Sequence, residues 1–214
     1  MITKIMEWFI DRVKYYPEEF KDKRILEVGS KNVNGSVRPI IVNFGMPKDY
    51  IGVDIEEGKH VDAIVSIERL VEGFGTESFD VVISTELVEH VRDWRAAMHN
   101  MKLVLKRTGA LYLTAPSYGF GYHGYPFDFW RYEIEDMKVI FSDFIIQELV
   151  KTGVGIIMKA EKPVNYVEKS LENVALYSIC IGKTTCKNPN LSYSRKLSLI
   201  LQKVARALNN KISS

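Results

Sequence analysis

Hydrophobic and polar positions near the start of the chain follow a helical pattern. Ile5, Phe9 and Val13 recur at a spacing of one helical turn. The pattern predicts an amphipathic helix within residues 1–20 that ends near Tyr16, just before Pro17. We expect this helix to cover one edge of the core.

Five short, nearly uniform apolar runs follow, and helical or polar stretches separate most of them. The runs cover residues 24–29, 50–54, 63–65, 79–84 and 110–114, and the clearest intervening helices are predicted at 37–44 and 87–105. Runs of this kind are typical of parallel strands, since crossover helices cover both faces of a parallel sheet. Such a sheet binds ligands at the carboxyl ends of its strands.

The second half of the chain predicts a helix at 134–141 and two further apolar runs, at 144–151 and 174–181, which we expect to close the sheet as an antiparallel pair. The predicted fold is α/β, a Rossmann-like, doubly wound, mostly parallel seven-stranded sheet with an antiparallel last strand and helices on both faces. One domain would cover residues 1–185. Residues 186–214 would form an amphipathic helical extension, with its helix at 192–208.

Composition narrows the class of protein. The 214 residues are 46% hydrophobic and carry a formal charge of +2, and the basic residues are scattered, so we expect no nucleic-acid partner.

Cys180 and Cys186 are too few for a disulfide framework and are interpreted as reduced thiols. No run of His and carboxylates has ligand spacing, so no metal is expected. The first ten residues resemble neither a signal peptide nor a membrane span, which favours a cytoplasmic location.

Gly29 and Gly35 bracket a polar loop after the first predicted strand. A glycine at a strand end permits a sharp turn and a close approach of backbone amides to a ligand. Lys31 and Asn34 occupy the places where a dinucleotide fingerprint has its second and third glycines. The loop therefore disfavours a bound pyrophosphate.

Acidic residues end the first two strands. Glu27 can attract an ammonium group, and Ser30 in the loop can bond a carboxylate. Asp54 lies at the distance beyond the first glycine where a carboxylate accepts hydrogen bonds from a ribose diol. An amino acid and a ribose together describe S-adenosylmethionine better than a nicotinamide cofactor.

Four segments in order carry a family resemblance. They are Ile25-Leu26-Glu27-Val28-Gly29, Tyr50-Ile51-Gly52-Val53-Asp54, Phe79-Asp80-Val81-Val82-Ile83-Ser84 and Glu89-His90-Val91. Over residues 24–132 the chain resembles the class I S-adenosylmethionine-dependent methyltransferases, in particular those that act on small molecules and glycans. The resemblance implies that Glu27 and Gly29 contact the methionine part of the cofactor, that Asp54 contacts the ribose, and that no metal is required.

The same resemblance assigns further cofactor contacts. Ile55 would lie on the adenine, and Ser84 or Thr85 would contact the cofactor through the backbone. The chain departs from the family in the loop, where Lys31 and Val33 replace a common Gly-x-Gly, and at Ser66, where many relatives have an aspartate for the adenine amino group.

A loop rich in glycine and aromatic residues, 116–132, is predicted on the acceptor side. We expect O-methylation, with His123 as the candidate general base and Asp128 and Arg131 orienting it or the acceptor. Four aromatic side chains would bind the acceptor: Tyr122, Tyr125, Trp130 and Tyr132. The loop also resembles a His-x-x-Pro-x-Asp-x-x-Arg-Tyr pattern of methyltransferases from surface-glycan and secondary-metabolite pathways. Alternatively, the aromatic residues seal the core and Asp128 and Arg131 form a structural ion pair.

Other classes of function remain as alternatives. One is a noncatalytic scaffold that uses the aromatic loop or the C-terminal helix to bind a partner, and another is a nicotinamide-dependent oxidoreductase. Glu89 and His90 are interpreted as capping or packing groups. We expect a monomer or homodimer, with the C-terminal helix packed on its own domain or on a second copy rather than on a membrane.

Overall fold

A computed structural model of the chain describes residues 2–124, 128–186, 189, 197–198 and 200–201. Its helices are α1 (Ile2–Tyr15), α2 (Arg38–Ile40), α3 (Leu70–Phe74), α4 (Trp94–Val104) and α5 (Ile134–Ile140). Seven strands form the main sheet: β1 (Arg24–Val28), β2 (Asp49–Asp54), β3 (Ala63–Ile64), β4 (Phe79–Thr85), β5 (Leu105–Pro116), β7 (Ile145–Thr152) and β8 (Gly155–Glu161). A small second sheet contains β6 (Trp130–Arg131), β9 (Leu176–Ser178) and β10 (Lys183–Thr185).

The main sheet has the strand order β3-β2-β1-β4-β5-β8-β7. Pairing is parallel from β3 to β5, whereas β8 is antiparallel to both β5 and β7. The predicted fold class, including the antiparallel last strand, is confirmed. The chain runs from β1 to β2 and β3 on one side and then crosses to β4 on the other, and ligands bind at such a switch point in open α/β sheets.

Helices cover both faces of the sheet and create two cores. On one face Ile5, Phe9 and Val13 of α1 are buried against residues such as Ile25 and Tyr112. The predicted N-terminal helix is therefore confirmed, and it ends one residue before Tyr16. On the opposite face a larger apolar cluster lies between the sheet and helices α3, α4 and α5.

The predicted helix over residues 87–105 was too long. A short 3-10 turn, Val88–His90, comes first, and Val91 is then extended. The helix α4 begins only after Asp93, whose side chain accepts a hydrogen bond from the backbone N–H of Ala96 at 3.1 Å. This side-chain cap fixes the start of the helix, because it satisfies a backbone donor that has no partner within the helix.

The edge of the sheet beyond β5 also differs from the prediction. The antiparallel partner of β7 is β8, and the two form a hairpin whose turn contains Gly153 at φ +66°. The run predicted at 174–181 supplies only β9, which belongs to the second sheet. Glycine adopts the left-handed conformation at low cost, which permits the tight reversal. The run at 155–161, the nearest to β7 along the chain, therefore pairs with it and lies between β5 and the edge strand β7.

Most of the predicted C-terminal helix lies outside the described residues. Residues 197–198 and 200–201 are helical. Within the part of the chain that the structure describes, no helix is both long and apolar enough to cross a membrane.

Candidate active site

A cavity of about 940 Å³ opens at the carboxyl ends of β1, β2 and β4. Glu27, Asp54 and His123 all line it. Thr3 and Met6 of α1 also line it, so the N-terminal helix covers the cavity as well as the core. One space therefore joins the predicted cofactor and acceptor regions.

Glu27 is buried at the end of β1, and its Oε2 accepts a hydrogen bond from the Tyr50 hydroxyl at 3.0 Å. Burial raises the pKa of Glu27 to about 7, and the hydrogen bond from Tyr50 and the positive charge of Arg38 only partly oppose it. The carboxyl group thus changes charge near neutral pH. A cationic group that entered the cavity would favour the ionised form.

The glycine loop after β1 turns as predicted. Gly29 has φ +78°, and the backbone N–H groups of Gly29 and Ser30 both donate to the carbonyl oxygen of Val53, at 2.9 and 3.0 Å. The Ser30 hydroxyl is buried without a hydrogen-bond partner among the described residues. Gly35 has φ +126°, and its N–H donates to Asn32 Oδ1 at 3.0 Å. Gly29, Ser30 and Gly35 all line the cavity.

Asp54 is held rigidly at the end of β2. Its Oδ1 accepts from the backbone N–H of Ile55 at 2.8 Å and of Glu56 at 3.3 Å, and its Oδ2 accepts from the N–H of Lys31 at 3.1 Å. These bonds connect the strand end to the glycine loop. Because a carboxylate has about four lone-pair positions, it can still accept hydrogen bonds from a ligand.

The remaining predicted cofactor residues divide into two groups. Ile55, Ser66 and Thr85 line the cavity, and Ile55 leaves 64% of its surface exposed there. The Ser66 hydroxyl accepts from the N–H of Glu68 at 3.4 Å and starts a 3-10 turn. Ser84 is completely buried within the sheet and does not line the cavity.

His123, Asp128 and Arg131 are brought together. Nδ1 of His123 lies 3.0 Å from Asp128 Oδ2, and the same carboxylate accepts two hydrogen bonds from the Arg131 guanidinium, at 2.6 and 2.9 Å. Burial acts to raise the pKa of Asp128, but the hydrogen bonds from Arg131 and His123 outweigh it and hold that pKa well below its usual range. Asp128 therefore stays ionised beside His123.

Arg131 holds Asp128 and the adjacent backbone in place and lies away from the cavity. It is buried, it does not line the cavity, and it also donates to the carbonyl oxygens of Phe120 at 2.9 Å and Gly121 at 3.0 Å. These contacts fix the segment that presents His123 to the cavity. The alternative of a structural ion pair thus describes Arg131 better than contact with reacting atoms.

The predicted acceptor aromatics lie mostly in the core. Trp130 and Tyr132 are fully buried, with the indole N–H donating to the Val91 carbonyl at 2.9 Å and the Tyr132 hydroxyl to the Val88 carbonyl at 3.1 Å. Neither these two nor Tyr122 line the cavity. Tyr125 lies outside the described residues. Two aromatic residues that the sequence analysis does not assign to the acceptor, Phe120 and Phe129, do line the cavity.

The cavity region contains three titratable residues to which the sequence analysis gives no binding or catalytic role: Glu86, Glu89 and His90. Glu86 and His90 line the cavity, and Glu89 is completely buried beside them. Burial raises the pKa of Glu86 to about 7, although the Thr114 hydroxyl donates to Oε1 at 2.9 Å. The pKa of Glu89 is raised well above its usual value by burial and by the nearby charge of Glu86. The signal in the sequence was two acids and a histidine within five residues of a strand end.

The fold is an α/β sheet with a cavity at the carboxyl ends of β1, β2 and β4. A family model described as a methyltransferase domain matches residues 4–151. The chain therefore belongs to this methyltransferase family and is a class I S-adenosylmethionine-dependent enzyme. The family implies no metal.

Solved structures of methyltransferases share the fold. A Burkholderia thailandensis 1,6-didemethyltoxoflavin-N1-methyltransferase, with 1,6-didemethyltoxoflavin and S-adenosylhomocysteine bound, has a TM-score of 0.59 at 12% identity, over 74% of this chain and 78% of that one. The N-methyltransferase NodS from Bradyrhizobium japonicum has a TM-score of 0.51 at 15% identity, over 73% and 95% of the two chains. An S-adenosylmethionine-dependent methyltransferase from Archaeoglobus fulgidus has a TM-score of 0.52 at 16% identity, over 73% and 94%. No curated protein matches the chain.

Proposed function

We propose that the protein transfers the methyl group of S-adenosylmethionine to a hydroxyl oxygen of a small-molecule or glycan-like acceptor, with His123 as the candidate general base. The observation that carries this proposal is the single cavity that joins Glu27 and Asp54 to His123. Its volume of about 940 Å³ lies near the upper end of the range of about 300–1,000 Å³ usual for ligand pockets. It suits a cofactor together with a compact acceptor.

The cofactor end has the groups that S-adenosylmethionine requires. Glu27 can attract the ammonium group, the Ser30 hydroxyl can donate to the carboxylate, and Asp54 can accept hydrogen bonds from the ribose hydroxyls. Ile55 offers an apolar surface to the adenine, and Ser66 and Thr85 flank the same space. The methyl group would then point toward the wall that contains His123.

Methyl transfer from a sulfonium is an in-line displacement, so its rate depends mainly on the alignment of the oxygen, the methyl carbon and the sulfur. A hydroxyl nucleophile must also lose its proton. Asp128 accepts from Nδ1 of His123 in the tautomer that leaves the Nε2 lone pair free, and Nε2 is on the side of Glu89. This arrangement supports His123 as the group that accepts the proton.

We place the reaction in the cytoplasm and assign its acceptor to a diffusible small molecule or sugar rather than to nucleic acid. The low net charge supports the choice of acceptor, and the small number of cysteines, Cys180 and Cys186, suits a reducing compartment. We propose a monomer or homodimer as the active form.

The test is methyl transfer from methyl-labelled S-adenosylmethionine to a panel of small hydroxyl acceptors, sugars and matched amines. We expect a methyl ether as product and a decrease in kcat of about 100-fold or more in His123→Ala, the usual contribution of a general base. His99→Ala is the matched control, because His99 is an exposed histidine that also contacts a carboxylate, Glu168 at 2.8 Å. Transfer only to amines, or an unchanged kcat in His123→Ala, would contradict the proposal.

A further inference from the structure

Three potential metal ligands converge on the wall of the cavity. One ligand atom from each of Glu89, His90 and His123 lies within 4.8 Å of the other two. Oε1 of Glu89 is 3.5 Å from Nε2 of His90 and 3.7 Å from Nε2 of His123. Around an octahedral ion with bonds of about 2.1 Å, neighbouring ligand atoms are about 3.0 Å apart and opposite ones about 4.2 Å. Shifts of less than about 1 Å would close these groups around one ion.

The Glu89 carboxylate lacks the partners that a buried acid normally has. Its side chain is 0% exposed, and neither oxygen has a hydrogen-bond partner among the described residues. Leaving a polar group buried in this way costs free energy, and buried carboxylates are usually paired, hydrogen-bonded or bound to a metal. This buried carboxylate, which faces two imidazoles, is the observation that points to a cation-binding site.

His123 has the supporting contact that metal-binding histidines usually have. Asp128 lies 3.0 Å from Nδ1, on the opposite side of the ring from Glu89, and Arg131 holds that carboxylate in place. A carboxylate behind the ring fixes the tautomer in which Nε2 carries the lone pair, and it makes this nitrogen a better ligand. The His90 ring lies edge to face with that of His123, with centroids 4.8 Å apart.

We infer that Glu89, His90 and His123 bind one divalent transition-metal ion such as Mn²⁺, Co²⁺ or Zn²⁺. Two imidazole nitrogens and one carboxylate suit these ions, whereas Mg²⁺ and Ca²⁺ prefer sites made only of oxygen atoms. Three protein ligands leave open coordination positions for water or substrate. Glu86, which lines the same cavity, is a further carboxyl group near these three ligands.

The ion gives the proposed reaction a more specific form, and this part of the inference rests on the proposed function. An acceptor hydroxyl bound to the ion becomes more acidic and releases its proton to solvent water. The resulting oxyanion attacks the methyl carbon, so the O–C bond forms while the C–S bond breaks and its electron pair returns to sulfur. The products are a methyl ether, S-adenosylhomocysteine and one proton. His123 is then a ligand, and the ion replaces it as the group that ionises the hydroxyl.

The site is tested by titrating CoCl₂, MnCl₂ and ZnCl₂ into the full-length protein after treatment with EDTA. We expect calorimetry to show one ion bound per chain, and we expect bound Co²⁺ to give visible absorption bands. His90→Ala, His123→Ala and the isosteric Glu89→Gln should each weaken binding by more than about 10-fold, as expected when a ligand is lost. His99→Ala should bind like the wild type. Circular dichroism identifies variants that do not fold. If Glu89→Gln does not fold, His123→Ala still tests the site, because the His123 side chain is one-third exposed.

The outcomes separate this inference from the proposed function. Absence of metal binding at millimolar concentrations, or unchanged binding in folded His90→Ala and His123→Ala, overturns the site. Equal turnover of metal-free and metal-loaded enzyme overturns the role of the ion and leaves His123 as the base. Binding of S-adenosylmethionine to the same metal-free sample tests the proposed function independently.

Discussion

Nδ1 of His123 lies 3.0 Å from Oδ2 of Asp128, a carboxylate whose other hydrogen bonds come from Arg131 and the His123 backbone. The pair couples a cavity-lining imidazole to a buried, ionised acid. It therefore fixes which nitrogen of His123 faces the cavity, whether that nitrogen accepts a proton or binds an ion.

Arg131 is expected to be essential for the fold of this segment. Arg131→Ala would leave Asp128 buried without its countercharge, a change that usually costs about 3–5 kcal/mol of unfolding free energy. The loss is measured by urea denaturation. Arg69→Ala is the control, because Arg69 is 70% exposed and pairs with Glu72, which is 63% exposed, so its loss should cost less than about 1 kcal/mol. Equal stability of the two variants would show that Arg131 does not hold the loop.

Gly29 is expected to tolerate no side chain. A Cβ at this position would lie 2.8 Å from Cδ2 of Leu87, and the residue has φ +78°. Gly29→Ala should therefore lower the free energy of unfolding by about 1 kcal/mol because of the left-handed backbone, and by about 1–3 kcal/mol more because of the collision with Leu87.

The control for Gly29→Ala is Gly153→Ala. Gly153 has φ +66°, and a Cβ there would meet nothing within 4 Å, so this variant isolates the backbone cost. Urea denaturation of both gives the difference. If the two substitutions lower the free energy of unfolding equally, the Leu87 side chain moves aside and does not restrict the loop.

The affinity for S-adenosylmethionine should increase with pH between 6 and 7.5. With a pKa of about 7 in the unliganded protein, the Glu27 carboxyl is mostly neutral at pH 6 and mostly ionised at pH 7.5. Only the ionised form attracts the ammonium of the cofactor, which stays largely protonated below its pKa of about 7.7–8.0. Calorimetry should show Kd falling several-fold over this range.

Glu27→Gln removes the titrating group while keeping its shape and an oxygen that can accept from Tyr50. The pH dependence should disappear, and affinity at pH 7.5 should fall. If Glu27→Gln retains the wild-type slope, another group is responsible for the pH dependence.

The sequence predicts correctly that Glu27, Gly29 and Asp54 meet at one edge of the sheet, because short-range features determine their positions. Strand β1 ends at a glycine, an acid precedes that glycine, and Asp54 ends the adjacent strand β2. Parallel strands place their carboxyl ends at one edge, so chain order and spacing were enough to bring these residues together.

The other half depends on contacts that sequence spacing does not reveal. Glu89 and His123 are 34 positions apart, and only the folded loop brings Nε2 to 3.7 Å from the carboxylate. Trp130 belongs to a two-residue strand, and its sequence pattern does not indicate which side faces the cavity. In the folded chain the Trp130 side chain is buried in the core, where its indole N–H donates a hydrogen bond to the Val91 carbonyl. The missed strand β8 depended in a similar way on a turn at Gly153.

The most direct test of the central claim is a calorimetric titration of the protein with S-adenosylmethionine, and with NAD as a control ligand. We expect one saturable site for S-adenosylmethionine, none for NAD, and a loss of affinity of about 10- to 100-fold in Asp54→Ala, equivalent to about 1.5–3 kcal/mol for hydrogen bonds to a charged group. Asp49→Ala, at the other end of β2 in an exposed ion pair with Arg24, should bind like the wild type. No binding at millimolar S-adenosylmethionine, or equal affinity in the two variants, would contradict the assignment of this cavity as the cofactor site.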